Sequence, residues 1–105
     1  MDEHLIYSGP LWRWTSAATS TSWYFVSIDG EAGEALRATA LMRKLEGLGR
    51  GFGSLKVRAR IGDTAFATSV FPNKTSGGWL LPVKAAVRKA ETLGEGDTVT
   101  VELAF

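Results

Sequence analysis

The sequence has no cysteine, and its single histidine, His4, lies close to the start of the chain. The missing cysteines exclude disulfides, thiolate catalysis and cysteine-ligated metals. A lone histidine near a chain end is a poor candidate for a serine–histidine–aspartate triad, and a histidine-based metal site needs more than one such ligand. We therefore expect neither a metal nor a cofactor.

Long apolar runs are missing as well. No stretch approaches the roughly 18 apolar residues that a membrane-spanning helix needs. The first ten residues, MDEHLIYSGP, are acidic and lack the basic and apolar regions of a secretory signal. The expectation is a cytoplasmic protein with no membrane segment.

Excess charge is the third thing that the chain lacks, since its formal net charge is +1. A dedicated nucleic-acid-binding protein usually has a larger basic excess. The cations are nevertheless unevenly distributed, because Asp63 is the only acid between Lys56 and Lys89. A length of 105 residues, 45% of them hydrophobic, fits one folded domain over residues 1–105.

The clearest strand is LKVRARI, residues 55–61, in which apolar and cationic residues alternate. Period-two alternation predicts that the apolar members face the core and the cations face outwards. Gly62-Asp63 predicts a two-residue hairpin turn, followed by a return strand over residues 64–71. This register gives three cross-strand pairs: Arg60 with Ala65, Arg58 with Ala67, and Lys56 with Ser69.

The remaining strands are predicted over residues 5–16, with a break at Gly9-Pro10, over 23–28 and 79–81, and at the chain end, where Val99, Val101, Leu103 and Phe105 face inwards. With two helices the element order is β β α β β β α β. This order, with its sequential hairpins, predicts a mainly β fold with two helices: a small antiparallel barrel of about six strands capped by α-helices.

The two helices are expected to pack through apolar stripes. Asp29 is a suitable N-cap for the first, which runs to about Leu45. The second is predicted to begin at Pro82, since proline is tolerated at the first helical position. The predicted inward stripes are Ala38, Leu41, Met42, Leu45 and Leu48 in the first helix, and Val83, Ala86, Val87 and Ala90 in the second.

A set of short motifs, denser in the second half, forms a recognisable pattern. The motifs are Trp23-Tyr24-Phe25 before a helix, Gly53 to Val57, Ser69-Val70-Phe71-Pro72, Gly77-Gly78, Leu81 to Lys84 with Arg88-Lys89, and Gly96-Asp97 with Val99 and Val101. From about Tyr7 onwards the chain resembles the bacterial domain-of-unknown-function family DUF1905. It departs from that family's pattern at Asp29-Gly30, where a proline is expected.

The resemblance implies a double-split β-barrel, a pseudo-barrel with helical caps. Some relatives carry this domain in front of a YdeI/OmpD-associated segment, and we expect the present chain to comprise the barrel alone. The family has no established activity, so the resemblance implies no catalytic residues.

The cations of the second helix are the strongest candidate site. Lys84 and Arg88 are four residues apart and share a helical face. A cation in the first turn opposes the helix dipole at a cost of about 0.3–1 kcal/mol, which a bound anion would offset. With Lys74 on the preceding loop and Trp79 at the pocket mouth, we predict a non-enzymatic site for a small anionic ligand.

Several alternatives remain open. Lys84 could instead pair with Asp97 or Glu102, or point into water. The outward cations Lys56, Arg58 and Arg60 could bind nucleic acid or a partner protein. A third alternative is an unrecognised enzyme built on carboxylates. We expect a monomer or a weak dimer.

Two further patterns favour structural roles. The tryptophans, Trp12, Trp14, Trp23 and Trp79, are expected mainly to build the barrel core, although together they could form a stacking platform. The alternating glycines of GLGRGFG, residues 47–53, lead into a strand rather than a helix. They therefore indicate a flexible connection rather than a phosphate-binding loop.

Overall fold

The computed structural model describes residues 3–46, 53–73, 75 and 77–105. In chain order the elements are β1 (His4–Thr15), β2 (Ser22–Ile28), α1 (Gly30–Leu45), β3 (Leu55–Ile61), β4 (Thr64–Pro72), β5 (Trp79–Pro82), α2 (Ala85–Ala90) and β6 (Thr98–Ala104). The strands close an antiparallel barrel in the order β1-β2-β5-β4-β3-β6. The predicted fold class and element order are confirmed.

The barrel interior is filled by alternate strand residues. The inward positions predicted on the third strand and at the chain end are all buried: Leu55, Val57, Ala59, Ile61, Val99, Val101, Leu103 and Phe105. The β3–β4 turn has the predicted two residues, with Gly62 at φ 59°. All three predicted cross-strand pairs of Lys56, Arg58 and Arg60 are present.

The first strand is continuous, so the predicted break at Gly9-Pro10 is wrong. Instead, β1 changes partner there. Its first part, His4 to Pro10, pairs with β6, and its second part, from Leu11, pairs with β2. Pro10 has no N–H to donate, and it forms the last pair with β6, where one missing ladder bond is tolerated. The glycine–proline step therefore marks the change of partner.

The apolar stripe predicted for α1 is also wrong. Leu41, Met42 and Leu45 are more than half exposed, Ala38 is exposed, and Leu48 lies outside the described residues. The buried residues of the helix are Gly33 and Leu36, nearer its start. The Trp79 indole Nε1–H donates to the Gly33 carbonyl at 3.1 Å. This contact docks the first half of α1 on the barrel, and the second half stays largely exposed.

Asp29 occupies the N-cap position of α1, but its side chain makes no capping hydrogen bond. Its Oδ1 accepts a hydrogen bond from the Tyr7 hydroxyl at 3.0 Å instead. Burial of the phenol, together with the hydrogen bond and the negative charge of Asp29, raises the pKa of Tyr7 above its ordinary value. Asp29 therefore ties the helix start to β1.

The double glycine before β5 meets two different steric demands. Gly77 lies at φ 85°, in a turn where its N–H donates to the Asn73 carbonyl at 2.8 Å. A Cβ on Gly78 would lie 2.7 Å from the Ile28 carbonyl oxygen. Glycine at both positions therefore lets the loop turn and then approach β2 closely.

The second helix begins later than predicted. Pro82 ends β5, and α2 begins at Ala85 with Lys84 as its N-cap residue. The Val83 N–H donates to the Tyr24 carbonyl at 2.9 Å, so the chain stays paired with β2 past the proline. Of the predicted stripe, Val83 and Val87 are buried, and Ala86 and Ala90 are exposed.

The tryptophans do not build the core as a set. Trp79 is buried, but Trp12 is half-buried and donates its indole N–H to the Ser27 hydroxyl at 2.8 Å. Trp14 and Trp23 are cross-strand partners that are each about half exposed. The inward positions beside them belong to smaller aliphatic residues such as Leu11 and Val26, which leaves the large rings on the outer surface.

Candidate functional site

The barrel wall parts on one side. Strand β5 pairs with β2 only from Phe25 onwards, and with β4 only at Phe71 and Pro72. The start of β2, residues 22–24, and most of β4, residues 64–70, therefore have no β5 partner in the described part of the chain. This parting leaves an opening between β2 and β4.

Helix α2 lies at this opening and is attached at both ends. Near its start, the Val83 N–H bonds to the Tyr24 carbonyl of β2. At its end, the carboxylate of Glu91 accepts a hydrogen bond from the Thr64 hydroxyl of β4 at 2.6 Å. These contacts hold the short helix between the two strands that have parted.

A groove of about 570 Å³ runs between α2, β2 and β4, and we call it the α2 groove. Its lining combines two cations with aromatic and hydroxyl side chains. The residues are Thr21, Ser22, Trp23, Tyr24, Thr68, Ser69, Phe71, Pro82, Val83, Lys84, Ala85 and Arg88. No acidic side chain is among these described lining residues. The groove can thus attract an anion and contact an apolar group.

Arg88 is held in place within the groove. Its Nε–H donates to the Val83 carbonyl at 3.2 Å. Its guanidinium carbon lies 3.7 Å from the centroid of the Tyr24 ring, which is a cation–π contact. The fork of an arginine has further N–H donors on its two terminal nitrogens. A fixed guanidinium can direct these donors at a ligand with little loss of rotamer freedom.

Lys84 lines the same groove and is exposed. The two carboxylates considered as its partners are engaged elsewhere. Asp97 accepts a hydrogen bond from the Gly94 N–H at 2.8 Å, and Glu102 lies 4.0 Å from Arg60. Among the residues that the structure describes, Lys84 has neither an ion pair nor a side-chain hydrogen bond. Its ammonium group is therefore available to a ligand.

The structure brings together two of the four residues predicted for this site. Lys84 and Arg88 line one groove, one helical turn apart. Trp79 does not line it, because its ring is buried and its N–H bonds to α1. Lys74 lies outside the described residues.

Two aromatic residues of the groove, Tyr24 and Phe71, were not predicted as site residues, and Trp23 was predicted only as part of a possible stacking platform. Trp23 and Tyr24 lie near the start of β2, and Phe71 lies near the end of β4. The groove forms because β2 and β4 part at this point, and single-strand patterns carry no information about that parting. The one signal in the sequence was that these strands carry more large aromatic side chains than their inward positions can hold.

The second cationic region is the outer face of β3, formed by Lys56, Arg58 and Arg60, and we call it the β3 face. These side chains are exposed above a floor of small residues on the neighbouring strands, Ala65, Ala67 and Ala104. Two open depressions of about 710 and 890 Å³ meet at Arg58.

Acidic partners are sparse on the β3 face. Arg60 reaches Glu102 at 4.0 Å, which is a long contact between two exposed side chains. Lys56 and Arg58 have no acidic partner within the described part of the chain. The face is therefore a row of cations spaced by two strand residues, about 6.6 Å apart.

Other kinds of site find less support in the structure. Across residues 3–46, 53–73, 75 and 77–105, no three histidine, aspartate or glutamate side chains cluster in a way that would hold a metal ion. None of the helices described is long and apolar enough to cross a membrane.

The architecture defines the class of protein: a small closed antiparallel barrel with two helices and a cationic, aromatic groove where two strands part. The family model described as "Domain of unknown function (DUF1905)" matches residues 7–103. The chain therefore belongs to the DUF1905 family, as its motifs predicted. No curated protein sequence matches it.

Proposed function

We propose that this protein is a non-enzymatic binding module for a small anionic ligand, which lies in the α2 groove. The observation that carries the proposal is the pairing of Lys84 and Arg88 on one groove wall with no acidic side chain among the described lining residues. Two cations that converge without a carboxylate create a local positive potential. A carboxylate or phosphate group is the natural complement.

The way Arg88 is held supports this proposal. Binding loses affinity whenever flexible side chains must be ordered, at about 0.5–1.5 kcal/mol for each. Contacts with the Val83 carbonyl and the Tyr24 ring order Arg88 before any ligand arrives. Only Lys84 has to be immobilised, and its ammonium group adds charge without demanding a fixed geometry.

Thermal unfolding with simple anions tests the proposal. A ligand that binds only the folded state raises Tm, and the rise grows with its concentration. We expect phosphate or acetate, against a chloride background of equal ionic strength, to raise Tm of the wild type and not of Lys84→Ala. Lys89→Ala is the matched control, because Lys89 is an exposed lysine of α2 that does not line the groove. Equal shifts in all three proteins would overturn the proposal, as would no shift in any.

A second candidate function is nucleic-acid binding on the β3 face. Lys56 and Arg58 have no acidic partner among the described residues, and they stand over small side chains in an open surface. A row of unpaired cations of this kind suits an extended polyanion.

Retention on single-stranded DNA at low salt tests this second function. We expect the double variant Arg58→Gln and Arg60→Gln to reduce the slope of log affinity against log salt by about 0.7 for each phosphate that is no longer neutralised. Lys84→Ala should leave that slope unchanged. If the wild type is not retained at low salt, the β3 face has no such role.

A further inference from the structure

The α2 groove continues into a second depression that has no charged lining. This depression, which we call the aromatic cleft, is open to solvent and has a volume of about 310 Å³. Its walls are Trp14, Trp23, Phe25, Phe71, Leu80 and Pro82. Four of these six side chains are aromatic, and they come from three different strands, β1, β2 and β4.

The groove and the cleft form one continuous surface. Trp23, Phe71 and Pro82 line both of them. The cations of the groove, Lys84 and Arg88, do not line the cleft. A ligand lying along this surface would therefore meet positive charge at one end and aromatic rings at the other.

The exposure of these rings needs an explanation. Trp14 is 50% exposed, Trp23 is 51% exposed and Phe71 is 44% exposed. Cross-strand packing accounts for the first two, because they face each other on β1 and β2. Phe71 pairs with Leu80 of β5, which lines the same cleft, so exposed rings from three strands gather at one place. Grouped exposed apolar side chains of this kind mark binding surfaces.

We propose that the ligand of the α2 groove is an amphiphilic aromatic anion. Its planar ring lies in the aromatic cleft against Trp23 and Phe71, and its single carboxylate or other anionic group lies at Lys84. This inference rests on the proposed function and specifies the chemical class of the ligand. The volumes of the groove and the cleft suit a molecule of one or two rings.

Three probes separate the contribution of the ring from that of the charge. The probes are 2-naphthoate, which has both features, acetate, which has the charge alone, and 2-naphthamide, which has the ring alone. Affinities are measured by calorimetry and by shifts of the amide NMR signals of β2, β4 and α2. We expect 2-naphthoate to bind the wild type about tenfold or more tightly than either of the other two.

Two variants assign these preferences to residues. Trp23→Leu should remove most of the preference for 2-naphthoate over acetate, because leucine has no planar face. Lys84→Ala should remove the preference for 2-naphthoate over 2-naphthamide. Ile6→Ala is the control, since Ile6 is an exposed apolar residue of β1 outside both the groove and the cleft. Unchanged NMR spectra outside the site confirm that each variant is folded.

The outcomes of these experiments separate the proposal of an anion site from the inference that its ligand is aromatic. Equal binding of acetate and 2-naphthoate would overturn the aromatic inference and leave the anion site standing. Equal binding of 2-naphthamide and 2-naphthoate, with no effect of Lys84→Ala, would overturn both proposals. If none of the probes binds and Trp23→Leu abolishes a dimer seen in sedimentation, the aromatic cleft is a dimer interface and the ligand proposal is overturned.

Discussion

The α2 groove and the β3 face both present arginine and lysine on the barrel surface, yet they hold these side chains differently. In the groove, Arg88 is fixed by the Val83 carbonyl and the Tyr24 ring. On the β3 face, Arg58 stands above alanines with no acidic partner among the described residues. The groove offers a fixed cation beside aromatic walls, whereas the β3 face offers exposed cations, two of which have no acidic partner among the described residues.

This difference indicates what each region can recognise. A fixed guanidinium needs little further ordering, so a small ligand with few contacts can be held there. Free side chains lose entropy one by one on binding, and only a partner that makes many contacts at once compensates for that loss. Ionic strength should also weaken binding to the open face more than binding to the partly enclosed groove.

The largest effect on the free energy of unfolding is expected from removing Arg88, with removal of Arg58 as the comparison. Arg88→Ala removes a charged hydrogen bond to a backbone carbonyl and a cation–π interaction, which together should lower the free energy of unfolding by about 2 kcal/mol. Arg58→Ala should change it by less than about 0.5 kcal/mol, as for other exposed positions. Urea unfolding measures both. If the two variants are equally stable, the contrast between fixed and free arginine disappears.

The next effect concerns the far end of α2, where Glu91 accepts a hydrogen bond from Thr64. Glu91→Ala should destabilise the fold by about 1 kcal/mol, since it removes a partly buried, charged hydrogen bond. It should also broaden the NMR signals around Arg88, because the groove wall loses its second attachment. Glu95→Ala is the matched control, as Glu95 is exposed and forms a 3.7 Å ion pair with Arg13. Identical behaviour of the two variants would show that α2 needs no attachment at this end.

A smaller effect is expected on the β3 face itself. Arg60→Gln removes the ion pair with Glu102, whose atoms are 4.0 Å apart in an exposed pair. Exposed pairs of this kind contribute between about 0 and 1 kcal/mol, and the length of this one places it at the lower end of that range. We expect a change near the error of a denaturant titration. A destabilisation comparable with that of Arg88→Ala would mean that Arg60 on the β3 face is also held in place by its neighbours.

The smallest effect at neutral pH is expected at Tyr7, which lies away from both cationic regions. The raised pKa of Tyr7 means that the fold favours the neutral phenol. Its contribution to stability is therefore complete below the unfolded pKa of about 10 and is lost as the pH rises through the folded pKa. Above about pH 10, the wild type should lose stability more steeply than Tyr7→Phe. Parallel pH profiles of the two proteins would contradict this coupling.

Much of the barrel follows from local patterns. The alternation in LKVRARI and the Gly62 turn predicted the β3–β4 register, and all three predicted cation pairs are found. The alternation of Val99, Val101 and Leu103 predicted the inward face of β6. These predictions hold because a strand with one buried face and a two-residue turn has few alternative registers.

Residue patterns within one helix or strand predict the structure poorly where contacts with another element decide which residues are buried or where the element begins. The apolar stripe around Leu41 and Leu45 is a regular helical stripe, but α1 docks through Gly33 and Leu36 instead. The Trp79 indole N–H donates to the Gly33 carbonyl at this docking point, and this contact joins residues 46 positions apart. Pro82 likewise fits a helix start, but the hydrogen bond from the Val83 N–H to the Tyr24 carbonyl extends the strand pairing past it.

The sequence by itself determined the family, the order of the elements, the faces of β3 and β6, and the closeness of Lys84 to Arg88. These are matters of spacing along the chain, and strand and helix geometry converts spacing directly into position. The tertiary structure decided that Trp23, Tyr24 and Phe71 share a groove with those cations and that Trp79 does not. It did so because β2 and β4 part beside α2, and the place where two strands part depends on how far β5 pairs with each of them.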